Sequence, residues 1–328
     1  MEILQGILNT HGSTITNNAV DKKQAQSTIM LLIDRLENST LLADRKASIQ
    51  SIKSFSRENR EFIIEQGIKP ILATLEKDSE SNEMVQLILE TLLNLLIRSN
   101  KFTSKDDIKI EYISKEKRIQ NGKYPSPLIL SEEDSDVFDE LSIWITDEFL
   151  KKSNSLLQLI IDTLTGGQHN GSSFHLRFYC ILILEALVAI RPEMAIECII
   201  QIPTSLNVLI SLLDDVNVQI KNETLLLLIS LVNNEKKIGL DNTHLKSLIV
   251  FEGIFNNLFT IALNSKEDLI VKKDCLILIS NLIKYNSMNQ RIFLEDKYNL
   301  ESIVKILLIF LNEKFDWSDS NEELALLI

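Results

Sequence analysis

The apolar residues of the chain recur at the spacing of an α-helix from Gln24 onward. One stripe consists of Ile29, Leu32, Ile33 and Leu36. The stretch from Met84 to Ile97 is apolar on almost every side, which indicates a helix that is buried between neighbours. Glycine and proline are scarce, at 9 and 5 of 328 residues, and this scarcity also favours long helices over a turn-rich β-fold.

Further helices are predicted along the rest of the chain. Gly67 is expected to end one helix, and Pro70 to lie in the first turn of the next, where its missing N–H costs nothing. After a long insertion, the predicted helices are 138–149, 156–164, 174–190, 193–201, 205–213, 218–232, 254–263, 269–285 and 300–311. The pattern therefore predicts an all-α chain.

The predicted helices form a repeat. Residues 67–75 match residues 204–212 and 253–261 in their apolar positions. The later copies begin at intervals close to the roughly 40–47 residues of armadillo and HEAT arrays. Because three short helices cannot close a core alone, neighbouring repeats stack into a continuous core. The predicted fold is an armadillo/HEAT-like, right-handed superhelical solenoid.

The pattern also predicts the domain limits. Residues 1–23 are expected to be a flexible N-terminal segment, with a docking peptide as the alternative. Residues 24–328 are predicted to form a partial armadillo-like head domain with a mobile insertion at 98–136, where Pro125 and Pro127 forbid a helix. Because a solenoid normally ends on a polar face, the final apolar run 324–328 predicts a fragment or a covered end.

Charge and composition disfavour several classes of protein. The net charge of −12 is unsuited to a nucleic-acid binder, which must neutralise phosphates. Cys180, Cys198 and Cys275 are scattered in apolar stretches, which indicates buried free thiols in a reducing compartment. The sequence shows no secretory leader and no uncharged apolar run of about 20 residues. We therefore expect a soluble, cytoplasmic chain.

The motifs of enzymes and cofactor sites are not recognisable. The sequence lacks a Walker-type phosphate loop, a zinc-protease histidine pair and a serine elbow. His169, His175 and Cys180 are spaced too irregularly for a zinc site. The adjacent carboxylates Asp214 and Asp215 are expected to be solvated at a helix end. We therefore predict no enzymatic activity, no cofactor and no metal.

Two stretches are candidates for partner binding. The first is a local basic patch in an acidic protein, which could meet an acidic partner or anionic lipid. Its members are Arg45, Lys46, Lys53, Arg57 and Arg60, of which Arg45, Lys46, Arg57 and Arg60 are the candidate binding residues. The second stretch is Lys123, Tyr124 and Pro125 in the insertion, because a tyrosine in an extended proline-containing segment suits recognition. An ordinary solvated helix face and a spacer without a partner are the respective alternatives.

Several stretches in order along the chain carry a family resemblance. They are 36–46 (Leu-Glu-Asn-Ser-Thr-Leu-Leu-Ala-Asp-Arg-Lys), 54–57, 67–70, 120–128, 174–177, 212–215, 250–252, 274–276, 281–284 and 289–293. Together they resemble the head of the general vesicular transport factor family, the ER-to-Golgi tethers, with 120–128 similar to fungal members. The resemblance covers about residues 27–310. Lys46 stands where the family often has a second arginine, and 234–246 looks inserted.

The resemblance implies a tether head that docks transport vesicles to Golgi membranes by protein–protein binding, in ER-to-Golgi and intra-Golgi transport. The implied partners are a Rab-type GTPase, vesicle coat subunits, and SNAREs or other tethering complexes. It further implies a homodimer of the intact protein and peripheral, indirect attachment to the Golgi membrane and to ER-derived vesicles. The family's heads have more repeats and its tails are coiled coils, whereas this sequence has no sustained heptads.

Armadillo adaptors of other kinds are alternative interpretations. A nuclear-import adaptor would carry tryptophan and asparagine one turn apart on successive third helices, whereas Trp144 and Trp317 lie elsewhere. A chaperone exchange factor is left open by the residues alone.

Overall fold

The computed structural model describes residues 18–97, 139–151, 155–165, 173–233 and 242–312. The α-helices of this part are α1 (Asn18–Asn38), α2 (Leu42–Phe55), α3 (Arg60–Lys77), α4 (Asn82–Leu96), α5 (Glu140–Lys151), α6 (Ser155–Thr165), α7 (Phe174–Ile190), α8 (Pro192–Gln201), α9 (Ser205–Ser211), α10 (Val218–Asn233), α11 (Thr243–Phe251), α12 (Ile254–Leu263), α13 (Leu269–Ile283), α14 (Ser287–Glu295) and α15 (Lys297–Asn312). A short 3₁₀ turn, Leu212–Asp214, extends α9.

The helices stack in rows that run from repeat to repeat. One row is α2, α4, α7, α10 and α13, in which each helix packs on the next. A second row is α3, α6, α9, α12 and α15, and it packs in the same order, with the 3₁₀ turn joining α9 to α12. The prediction of an all-α, armadillo-like solenoid is confirmed.

The core runs along the solenoid without a break between repeats. Helix α7 shows why: from Cys180 to Val188 every residue is buried, because α4 and α10 cover it from both sides. Each fully buried leucine or isoleucine contributes roughly 1.5–3 kcal/mol through removal of its surface from water. The all-round apolarity of these helices thus follows from their place between two neighbours.

The first and second helices of a repeat meet at sharp bends. The bend between α11 and α12 is 73°. The bend between α8 and α9 with its 3₁₀ extension is 96°. At the first bend Gly253 has a φ of 81°, a left-handed conformation that glycine adopts without a steric cost. In the described ranges no single helix is long and apolar enough to cross a membrane, although these two bent pairs together have the length and composition to do so.

The predicted break between Gly67 and Pro70 is wrong, because α3 runs through both residues. Gly67 lies against α1, and a Cβ atom there would meet Ile33 Cδ1 at 3.0 Å. Glycine is therefore needed for close packing rather than for ending a helix. The helix continues past Pro70 because its apolar residues are buried on both sides of the proline, from Ile63 to Leu75.

Other limits also differ from the prediction. Helix α1 begins at Asn18 rather than at Gln24, so the predicted flexible segment 1–23 is too long. Helix α13 ends at Ile283 instead of Tyr285, since Tyr285 has a left-handed backbone. Helices α11 and α14 were not predicted. Helix α11 overlaps the segment 234–246 that looked inserted, and α14 buries only Asn289 and Phe293. The predicted insertion 98–136 lies outside the described residues.

Candidate partner-binding surface

Arg45 of the predicted basic patch lies inside the protein. Its side chain is 6% exposed. The guanidinium donates from Nε and Nη2 to the two carboxylate oxygens of Asp78, at 2.8 and 2.5 Å. Its Nη1 donates to the carbonyls of Ser39 and Thr40, at 2.9 and 2.8 Å. The hydrogen bond with Asp78 raises the pKa of Arg45 further, against the effect of burial. Arg45 therefore fixes the α1–α2 turn and is not available to a partner.

Arg60 is the second member of the patch with an internal role. It begins α3, its side chain is 9% exposed, and its Nε donates to the carbonyl of Leu95 at 2.7 Å. The two Nη atoms donate to the carboxylate of Asp139 at 2.6 and 2.9 Å, and Nη2 also donates to Ser142 Oγ at 3.0 Å. Ser142 Oγ donates in turn to the carbonyl of Leu96 at 2.6 Å. Arg60 thus ties the end of α4 to the start of α5.

The electrostatics of Asp139 follow from this network. Burial opposes ionisation of its carboxyl group, but hydrogen bonds from Arg60 and from the backbone of Ser142 outweigh burial. The pKa of Asp139 is consequently held well below its usual range. The carboxylate is charged whenever the protein is folded near neutral pH.

Lys46 and Arg57 are the most exposed members of the patch. Lys46 pairs with Glu83 on α4, the next helix of the first row, and its side chain is 38% exposed. Arg57 is exposed in the α2–α3 turn and makes no ion pair with another described residue. Lys53 pairs with Glu90, which is also on α4, and its side chain is 27% exposed. The structure therefore leaves Arg57 as the arginine of the patch without an ion pair to another described residue.

Arg57 lines a polar cleft of ≈ 400 Å³. Lys22 contributes a second positive charge from α1, whereas Glu58, Glu61 and Glu65 contribute negative charges. The ion pair of Arg60 and Asp139 forms part of its lining. A cleft with this mixture of charges suits a polar protein surface better than a lone anion.

Lys123, Tyr124 and Pro125 lie outside the described residues. Their segment follows α4 and precedes α5, so along the chain it comes directly after a helix of the first row. The α2–α3 turn that carries Arg57 comes after the preceding helix of that row. The two candidate stretches thus follow successive helices of the first row.

A row of ion pairs between repeats, two of them buried and the third part-buried, was missed by the sequence analysis. Arg45, Arg177 and Lys221 each occupy the fourth position of a helix of the first row. Each pairs with an acid that precedes the next helix of that row; the acids are Asp78, Asp215 and Glu267. The expectation that Asp214 and Asp215 are both solvated is wrong for Asp215, which is buried against Arg177.

The residues considered for metal binding do not converge. Cys180 is buried, and burial raises the pKa of its thiol, while His175 is exposed on the first turn of α7. His169 lies outside the described residues. Where side chains are described, no group of three or more histidine, cysteine, aspartate or glutamate residues is arranged to hold a metal ion.

Comparison with known proteins identifies the relatives of the chain. It is 40% identical over 324 residues to the intracellular protein transport protein USO1 of Saccharomyces cerevisiae, covering 97% of this chain and 16% of the relative. It is 26% identical over 273 residues to the general vesicular transport factor p115 of Homo sapiens, covering 83% of this chain and 24% of the relative. No family model matches the chain.

A solved structure shows the same fold. The crystal structure of Uso1-2 superposes with a TM-score of 0.74 at 37% identity, covering 95% of this chain and 43% of that one. The chain therefore spans less than half of the solved relative, and about a sixth of the yeast protein's full length.

Proposed function

Because the chain belongs to the Uso1/p115 family of vesicular transport factors, we propose that it forms part of a head domain that docks transport vesicles to Golgi membranes. The activity is protein–protein binding in ER-to-Golgi and intra-Golgi transport. The observation that carries this proposal is the 40% identity to USO1 over 97% of the chain. A stack of helical repeats supports it, because each repeat adds surface without requiring a catalytic centre.

The proposal includes the absence of enzymatic activity. The names of the relatives describe transport factors. Cys180 and Cys275 are buried, and burial raises the pKa of both thiols, so neither forms a thiolate readily. A turnover by purified protein that one point substitution abolishes would contradict this part of the proposal.

The proposed partners are a Rab-type GTPase, vesicle coat subunits, and SNAREs or other tethering complexes. In the intact protein the head would belong to a homodimer, and two heads for each dimer would strengthen binding through avidity. The proposed location is the cytoplasmic face of the Golgi and of ER-derived vesicles, with peripheral attachment through these partners.

The proposed contact surface is the α2–α3 turn with Arg57, together with Lys46. The proposed surface also includes Lys123, Tyr124 and Pro125, which lie along the chain between α4 and α5. Arg57 supports it because its side chain is exposed and makes no ion pair with another described residue. An exposed, unpaired cation steers an acidic partner and sets the salt dependence of binding.

The test is a pull-down from solubilised early-secretory membranes and cytosol with the purified chain as bait. Recovery of a Rab GTPase, coat subunits or tethering complexes is the expected result. Recovery of chaperones or nuclear cargo alone would instead favour another kind of armadillo adaptor. The variant to compare with the wild-type bait is Arg57→Glu, because the Arg57 side chain makes no described internal contact that the substitution would break.

A further inference from the structure

Tyr285 has an unusual backbone for its residue type. Its φ is 58°, and in the described part of the chain it is the one non-glycine residue with a positive φ. The left-handed region is costly for a bulky residue, whereas glycine and asparagine enter it more easily. The ring recovers little of this cost inside the molecule, because Tyr285 is 80% exposed.

The residue before Tyr285 is held by two helices. The Lys284 N–H donates to the carbonyl of Ser280 at 2.9 Å, which closes the last turn of α13. The Lys284 carbonyl accepts a hydrogen bond at 3.3 Å from Nζ of Lys246 on α11, and Lys246 is 3% exposed. A buried amine is thus directed at the backbone of the turn.

The residue after Tyr285 is held even more firmly. Asn286 is 1% exposed, and its Nδ2 donates to the Thr243 carbonyl at 3.1 Å and to Ser247 Oγ at 3.0 Å. Its Oδ1 accepts from the N–H of Asn289 at 3.0 Å and caps α14. Three helices therefore impose the conformation of the turn, and a side chain on it is presented in a fixed direction.

The exposed side of the turn combines an aromatic ring with a positive charge. Lys284 Nζ lies 5.1 Å from the centroid of the Tyr285 ring, and both side chains are exposed. Tyrosine supplies a large contact area at a low cost in conformational entropy, and it is enriched among the residues that dominate binding energy. A rigid turn lowers this entropic cost further.

We propose that the turn Lys284–Asn286 is a docking point for an acidic peptide segment of a partner protein. Tyr285 covers an apolar side chain of that segment, and Lys284 pairs with its carboxylates. The strain is retained because the ring acts outside the chain rather than in its core. The turn lies between α13 and α14, far along the chain from Arg57, and the proposal does not depend on the vesicle-transport assignment.

The experiment measures binding of a fluorescein-labelled synthetic peptide of alternating glutamate and leucine to the full chain by fluorescence anisotropy. We expect saturable binding that weakens as salt is raised. The same peptide with glutamine in place of glutamate should bind at least about tenfold more weakly, as should the acidic peptide to Tyr285→Gly. Lys284→Gln should reduce both the affinity and its salt dependence.

The controls separate binding from folding. Tyr285→Gly should keep its helical circular dichroism and melt no lower than the wild type, because glycine accepts the left-handed backbone. Phe251→Ala, which removes another exposed aromatic ring at the far end of α11, should bind the peptide unchanged. Equal affinity for wild type and Tyr285→Gly, or no binding by the wild type, would overturn the proposal. Tyr285-dependent binding to phosphatidylserine vesicles without peptide binding would also overturn it and identify a membrane contact instead.

Discussion

Arg45 and Lys46 are adjacent on α2 and belong to one basic stretch, yet they have opposite roles. The Arg45–Asp78 pair is buried, with side chains 6% and 7% exposed, whereas the Lys46–Glu83 pair is 38% and 76% exposed. Consecutive residues on a helix point about 100° apart, so one faces the next repeat and the other faces solvent. Charge in the sequence therefore indicates neither a binding surface nor a structural ion pair until the phase of the helix is known.

Arg60 and Arg57 show the same contrast across a turn. Arg60 begins α3 and reaches into the junction of α4 with α5, while Arg57 stays in solvent. Removing one partner of a buried pair leaves an uncompensated charge and costs several kcal/mol. Exposed pairs contribute about 0–1 kcal/mol. Stability measurements can therefore separate the two roles.

The largest effect is expected at Arg45. Arg45→Ala should lower the free energy of unfolding by about 3–5 kcal/mol, because it leaves Asp78 buried without its partner and frees the carbonyls of Ser39 and Thr40. Lys46→Ala should cost no more than about 1 kcal/mol. Urea unfolding followed by circular dichroism measures both. Equal losses in the two variants would contradict the assignment of Arg45 to the interior.

A somewhat smaller loss is expected at Arg60. Arg60→Ala should destabilise by about 2–4 kcal/mol, less than Arg45→Ala because Asp139 is 26% exposed and water partly replaces the arginine. Arg57→Ala should change stability by less than about 0.5 kcal/mol. The same unfolding measurement applies. If Arg57→Ala destabilised as much as Arg60→Ala, the exposed assignment of Arg57 would be wrong.

The pH dependence of stability sharpens the role of Asp139. Its folded pKa is depressed, so its charge contributes stability above the unfolded value of about 3.9, and this contribution is lost as the pH falls toward the folded pKa. Between pH 5 and pH 2.5, the wild type should lose on the order of 1 kcal/mol more stability than Asp139→Asn. Parallel stability curves for the two proteins would show that the pair with Arg60 does not form.

Much of the fold could be predicted because the spacing of apolar residues along the chain follows the buried side of each helix. Both ends of helices such as Phe174–Ile190 and Ile254–Leu263 are predicted correctly, since these helices bury apolar side chains along their length. The predicted helix break at Gly67, by contrast, is wrong. Its apolar positions match those after Gly253, but α3 is continuous whereas α11 and α12 are bent by 73°. A glycine between apolar residues serves close packing in one repeat and a left-handed turn in another.

The candidate surface could be predicted only in part, because a pairing partner is distant in sequence. Arg60 meets Asp139 across the whole segment between α4 and α5, and Arg177 meets Asp215 across a repeat. The sequence does carry one signal of these pairs. A cation occupies the fourth position of a helix of the first row, and an acid comes shortly before the next helix of that row. This pattern distinguishes Arg45 from Lys46 by sequence position alone.

The smallest effect on stability is expected from reversing the charge of Arg57, although its effect on binding should be clear. Reversal at Arg60 cannot test a surface, because glutamate there would repel Asp139 and disrupt the junction of α4 with α5.

Arg57→Glu should leave the unfolding free energy within about 0.5 kcal/mol of the wild type. In the pull-down it should reduce partner recovery, and the remaining recovery should depend less on salt. Lys22→Glu, which changes another lining residue of the same cleft, tests whether the whole cleft contributes. If recovery and its salt dependence are unchanged in Arg57→Glu, the α2–α3 turn is an ordinary solvated connection.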